Sequence, residues 1–91
     1  MDKIRVVIAD DHVLVREGLR KLLELDDSID VITEVGDGQG AINIARKEKP
    51  DIILMDVNMP GTNGITATQV IKREFPAIHI IALTIYEDEE V

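Results

Sequence analysis

Residues 52–64 read IILMDVNMPGTNG, and the fold follows from how this stretch is divided. Ile52, Ile53, Leu54 and Met55 are an unbroken apolar run of strand length, the pattern of a β-strand buried on both faces, and the run stops at the carboxylate of Asp56. An anion therefore stands at the carboxyl end of a central strand. In open parallel sheets that edge binds ligands, because the loops leaving the strands splay apart there. Asn58, Met59, Pro60, Gly61 and the pair Asn63-Gly64 make a turn-rich loop before the next helical pattern, so Asp56 is expected to look out over a shaped pocket.

Working outward, Ile4 to Ala9 (IRVVIA) reads as another buried strand and ends in the pair Asp10-Asp11, of which Asp11 can also cap the helix that follows. From His12 to Leu25 apolar residues recur at Val15, Leu19, Leu22 and Leu23 with charges elsewhere on the wheel, an amphipathic helix whose Leu22/Leu23 stripe is core or the seat of a further helix. Val31 to Val35 is a weaker strand, interrupted by Thr33 and Glu34 and expected near a sheet edge. Asp37 is a candidate N-cap for a helix over Gly38 to Glu48, with Ala41, Ile42 and Ala45 on one face; Gly38 and Gly40 weaken its first turn, and Lys49-Pro50 ends it. Beyond the central stretch, Gly64 to Phe75 predicts a third helix with Ala67, Val70 and Ile71 inward. Ile78 to Leu83 predicts a fourth strand that delivers Thr84 to its carboxyl end, and Glu87 to Val91 opens a further helix. Alternating strands and helices with short links imply a parallel sheet, right-handed crossovers and helices on both faces.

At 91 residues the chain is one small domain whose core has little to spare, and one Phe, one Tyr and no Trp leave that core aliphatic. The absence of cysteine removes disulfide and thiol chemistry. A net charge of -8 repels a phosphate backbone, so direct nucleic-acid binding by this segment is not expected. The apolar run Ile4 to Ala9 is too short for a signal peptide's core, no stretch reaches membrane-spanning length, and a cytoplasmic location is the default expectation.

Three strands thus deliver Asp10-Asp11, Asp56 and Thr84 to one edge of one sheet. Gathered carboxylates repel by several kcal/mol at close range unless a cation neutralises them. Mg²⁺ suits the set, being a hard ion that takes oxygen ligands, tolerates one or two carboxylates with waters and favours sites where a phosphate completes its shell. A carboxylate beside such an ion can attack phosphorus and form an acyl phosphate.

These motifs, IADDHVLVREGLRKLLE, DVNMPGTNG and ALT at the end of the fourth strand, together resemble the receiver domain of bacterial two-component response regulators across essentially the whole chain. ADDHVLVREGLRKLLE further resembles the NarL/FixJ, or LuxR-type, subgroup, whose receivers precede a helix-turn-helix DNA-binding domain. The resemblance implies a flavodoxin-like (CheY-like) doubly wound α/β fold. It also implies that Asp56 accepts a phosphoryl group from a sensor histidine kinase, that Asp11 binds Mg²⁺ directly and Asp10 mainly through water, and that the backbone carbonyl of Asn58 supplies a further ligand to the ion beside Asp56. The Thr84 hydroxyl would meet the phosphoryl oxygen and couple phosphorylation to a surface change, while Asn58 and Tyr86 stand where receivers tune the lifetime of the phosphate.

The family places a lysine at the end of a fifth strand, and residues 1–91 contain neither that strand nor the fifth helix. Lys3, Lys21, Lys47, Lys49 and Lys72 lie on other elements. The sequence therefore reads as an incomplete receiver of four strands, cut within the fourth helix, with no output domain of its own. Its fourth strand becomes an open apolar edge through which the chain is expected to self-associate.

Other readings compete with this one. The acidic pair could only cap a helix, and Thr84 could only favour a strand end. His12 and His79 read as surface histidines without metal partners. DVNMPGTNG is not a calcium loop, since Pro60 and Ala67 occupy ligand positions, and Asn58 lacks the carboxylate an aspartate-dependent phosphatase needs. The main reading is a signalling switch rather than a conventional enzyme; its rival is a receiver fragment serving as a non-phosphorylated interaction scaffold.

Overall fold

The computed structural model describes residues 2–59 and 61–83. Its elements run β1 (Ile4–Ala9), α1 (Val13–Leu23), β2 (Ile29–Val35), α2 (Gly38–Glu48), β3 (Ile52–Asp56), α3 (Gly64–Glu74) and β4 (His79–Leu83). The strands form one sheet in the order β2-β1-β3-β4 with every pairing parallel, so β2 sits at an edge as its interrupted apolar pattern predicts. A register shift between Val6 and Val7 interrupts the β1–β2 ladder.

Right-handed crossovers fix where the helices lie. The chain moves from β1 outward to β2, returns past β1 to β3, and continues in the same direction to β4. The first crossover helix must therefore lie on the face opposite the other two. Accordingly α2 and α3 pack on each other, whereas α1 packs on β1 and β2.

The core lies on the α2/α3 face. Val7, Ala9, Ile53 and Met55 from the two central strands meet Ala41, Ile42 and Ala45 of α2 and Ala67 and Ile71 of α3. Alanines at these positions let the helices approach the sheet closely, and aliphatic and methionine side chains fill the space, with the partly buried Phe75 packed against them. Asp37 caps α2 as expected, accepting a hydrogen bond from the Gly40 amide at 2.6 Å. Gly38 is more than a weak first turn. A Cβ there would collide with the Thr62 carbonyl, and its amide donates to that oxygen at 3.1 Å, so the glycine ties α2 to the loop after β3.

The opposite face departs from expectation. No residue of α1 is buried, and Leu22 is 66 % exposed, so the Leu22/Leu23 stripe does not form core among the described residues. The amphipathic pattern specified a helix with an inner face, but β1 and β2 cover only part of that face. Asp11 likewise does not cap α1. The N-cap residue is His12, whose side chain makes no capping hydrogen bond. β4 pairs with β3 along one edge, and among the described residues its other edge has no strand partner; Ile81 is 50 % exposed.

Candidate metal centre

Strand order reverses between β1 and β3, the two strands whose carboxyl ends carry the acidic residues, and this is the crevice in which open α/β sheets bind ligands. Asp10 follows β1 directly, its amide donating to the Val35 carbonyl at 3.0 Å, and its side chain is wholly buried. Asp56 ends β3 and is 2 % exposed. Each spends one carboxylate oxygen on a backbone amide two residues on: Asp10 Oδ1 accepts from the His12 amide at 2.8 Å, and Asp56 Oδ1 from the Asn58 amide at 3.0 Å. Among the described residues, the remaining oxygen of each, Oδ2 of Asp10 and Oδ2 of Asp56, is buried without a hydrogen-bond partner.

An unpartnered buried carboxylate oxygen costs on the order of 1–3 kcal/mol, and two side by side require an explanation. A cation supplies it. Asp10, Asp11, His12 and Asp56 each offer one ligand atom, and these atoms lie within 4.8 Å of one another. The donor set is dominated by carboxylate oxygen, which fits a hard divalent ion such as Mg²⁺.

The backbone that presents these groups is held from outside the cluster. Arg16 donates from Nη1 to the Asp10 carbonyl at 2.7 Å and from Nε to Glu34 at 3.3 Å, and Arg20 Nη1 reaches the same carboxylate at 2.7 Å, tying α1 and β2 to the end of β1. The Arg20 hydrogen bond, aided by Arg16, holds the Glu34 carboxyl below its ordinary value against the opposing effect of burial. On the other side, a Cβ at Gly64 would strike the Asp56 carbonyl, so only glycine lets α3 begin against the end of β3. Asn63 caps that helix by accepting from the Thr66 amide at 2.8 Å.

Of the residues singled out from sequence, Asp10, Asp11 and Asp56 come together; Asn58 follows Asp56 in the same loop, is exposed, and donates its amide to it. Thr84 and Tyr86 lie outside the described residues. Lys72 donates to the carbonyls of Pro76 and Ile78, at the far end of β4 from the cluster. His79 is an exposed strand-start residue as expected.

His12 corrects the sequence reading. Exposed but not partnerless, it brings Nδ1 to 2.9 Å from Asp10 Oδ1, 3.1 Å from Asp11 Oδ1 and 3.9 Å from Asp56 Oδ2. The hydrogen bond to Asp10, followed by the charge of Asp11, raises its pKa above the ordinary value. The signal was its place directly after an acidic pair at a helix start, where a ring not needed for capping can fold back over the preceding turn.

Comparison with known proteins agrees with this geometry. Residues 6–91 match the family described as the response regulator receiver domain. The chain is 40 % identical over 88 residues to the transcriptional regulatory protein DegU of Brevibacillus brevis, covering 97 % of this chain and 37 % of that protein. Among solved structures it resembles a LuxR-family two-component response regulator from Aurantimonas sp. SI85-9A1, with TM-score 0.88, 36 % identity, and coverage of 94 % of this chain and 61 % of that one. It also resembles the signal receiver domain of the response regulator NarL from Mycobacterium tuberculosis, with TM-score 0.86, 31 % identity, and coverage of 98 % and 72 %. The chain spans about two fifths of the length of the curated relatives it matches.

Proposed function

The chain belongs to the response regulator receiver domain family, and from that premise we propose that it is a phosphorylation switch in which Asp56 takes a phosphoryl group from a sensor histidine kinase with Mg²⁺ as cofactor. The observation that carries the proposal is the pair of buried carboxylate oxygens of Asp10 and Asp56, without hydrogen-bond partners among the described residues, at the strand-order reversal. Asp10, Asp11, Asp56 and the Asn58 carbonyl are the groups that would hold the ion, Asp10 mainly through water. When bound, the ion offsets the charge of the carboxylates and of the incoming phosphoryl oxygens.

The chain's own residues account for the remaining steps. The Asn58 amide holds Asp56 Oδ1 and so fixes the orientation of the carboxylate that attacks phosphorus. As the oxygen–phosphorus bond forms, the bond from phosphorus to the donor's imidazole nitrogen breaks, and the imidazole leaves with a proton. Burial of Asp56 limits the access of water to the resulting acyl phosphate. Thr84 follows Leu83, the β4 residue paired with Asp56, and its hydroxyl is assigned to the phosphoryl oxygen. Output through a helix-turn-helix DNA-binding domain, transcription control and a cytoplasmic location accompany this reading. Among the described residues no helix is long and apolar enough to cross a membrane.

Incubation with Mg²⁺ and a small phosphodonor, followed by intact-mass measurement, tests the proposal. A single phosphoryl adduct absent from Asp56→Asn is expected, and no adduct with either protein refutes it. The scaffold reading predicts that second outcome. Self-association through the outer edge of β4, beside the half-exposed Ile81, is a separate part of the proposal; a cooperatively folded monomer in sedimentation would exclude it.

A further inference from the structure

We infer that His12 is itself a ligand of the cation, so that the site prefers nitrogen-seeking divalent transition ions over Mg²⁺ by more than its carboxylates alone dictate. The inference rests on the cation-site reading above and adds to it a residue and a metal class.

Geometry is the first support. An octahedral ion with bonds of about 2.1 Å separates adjacent ligand atoms by about 3.0 Å and opposite ones by about 4.2 Å. His12 Nδ1 stands 2.9 Å from Asp10 Oδ1 and 3.1 Å from Asp11 Oδ1, both adjacent-ligand spacings, and 3.9 Å from Asp56 Oδ2, near the opposite-ligand spacing. All four residues keep one ligand atom within a 4.8 Å span, so the widest pair needs to close by only about 0.6 Å to reach the opposite-ligand spacing around one ion.

Valence is the second support. A ring nitrogen carries at most one proton, which can satisfy one carboxylate oxygen well and a second poorly, yet three carboxylates surround Nδ1. The Asp56 oxygen that faces the ring at 3.9 Å is also buried with no hydrogen-bond partner among the described residues. A shared ion resolves both shortfalls.

Availability is the third. His12 occupies the N-cap position of α1, but its side chain makes no capping hydrogen bond, and at 57 % side-chain exposure no packing would be lost on ligation. Imidazole favours Zn²⁺, Ni²⁺ and Co²⁺, whereas carboxylate and carbonyl oxygens suit Mg²⁺ and Mn²⁺. Any oxygen site binds Ni²⁺ more tightly than Mg²⁺, so the discriminating quantity is how far the preference falls when the nitrogen is removed.

The test is calorimetric titration of the full chain with MgCl₂ and with NiCl₂, comparing wild type with His12→Ala. Removal of the imidazole is expected to lower Ni²⁺ affinity by at least about tenfold and to leave Mg²⁺ affinity within about threefold, consistent with the loss of one ligand. Pulsed electron paramagnetic resonance of the Mn²⁺-loaded wild type should show a nitrogen hyperfine coupling that vanishes in His12→Ala, which retains His79 as an internal control. An unchanged Ni²⁺ to Mg²⁺ ratio, or no nitrogen coupling in the wild type, overturns the role of His12. If Mg²⁺ still binds and Asp11→Asn abolishes that binding, the cation site survives; if no divalent ion binds the wild type, both readings fall.

Discussion

At the amino-terminal rim of the sheet, Asp51 accepts a hydrogen bond from the Arg5 amide at 2.8 Å, and the Arg5 guanidinium reaches the Glu48 carboxylate at 2.9 Å and the Glu48 carbonyl at 2.7 Å. At the carboxyl-terminal rim, Asp10 and Asp56 are buried and each keeps an oxygen without a hydrogen-bond partner among the described residues. The two rims belong to the same strands and carry the same kind of side chain. A concavity of about 500 Å³, lined by Asp2, Lys3, Arg5, Asp30 and Asp51, opens at the first rim, where Arg5 already answers Asp51 through its amide and Glu48 through its guanidinium. Charge that is answered within the chain does structural work, whereas charge buried and left unanswered marks the place where a guest supplies the missing counterpart.

The largest expected effect breaks this contrast at its centre. Asp56→Asn should eliminate the phosphoryl adduct in the intact-mass assay, while raising stability in ion-free urea unfolding by about 1–2 kcal/mol, because a buried charge is removed. An ion-free Asp56→Asn protein less stable than wild type would show that the carboxylate is compensated in some other way.

Ion binding should then separate the rims. Mg²⁺ at about a hundred times its dissociation constant should stabilise the wild type by about 2.7 kcal/mol in thermal or urea unfolding. Arg5→Ala should preserve that increment and Asp11→Asn should diminish it.

Gly64→Ala sharpens the same point through the backbone. The new methyl group meets the Asp56 carbonyl and should cost about 1–3 kcal/mol of stability by urea unfolding.

The pH dependence of the Arg16–Arg20–Glu34 network is smaller, and its sign follows from linkage. The folded state holds Glu34 below its ordinary value of 4.5, so below that pH the unfolded chain binds more protons at this position. The contribution is fully present above about pH 4.5 and is lost as pH falls through the folded value. Glu34→Gln should flatten that part of the acid unfolding curve.

The smallest effect belongs to the amino-terminal rim. Arg5 and Glu48 side chains are 38 % and 37 % exposed, so Arg5→Ala should cost about 1 kcal/mol or less by urea unfolding, with phosphorylation unchanged.

Periodicity and punctuation in the sequence determined the alternation of elements, the edge position of β2, the Asp37 cap and the convergence of Asp10, Asp11 and Asp56 on one rim. Each depends on local propensity or on the single hand of βαβ crossovers, which no distant contact needs to decide. Tertiary structure alone decided what depends on distance across the fold. The clash that demands glycine at position 64 comes from a strand end eight residues away. The exposure of Leu22 depends on what covers α1, which an amphipathic pattern does not specify. His12 looked like a solitary surface residue because its nearest partners are set by a turn and by a strand more than forty positions on. Only their packing brings a nitrogen and three carboxylates within reach of one ion.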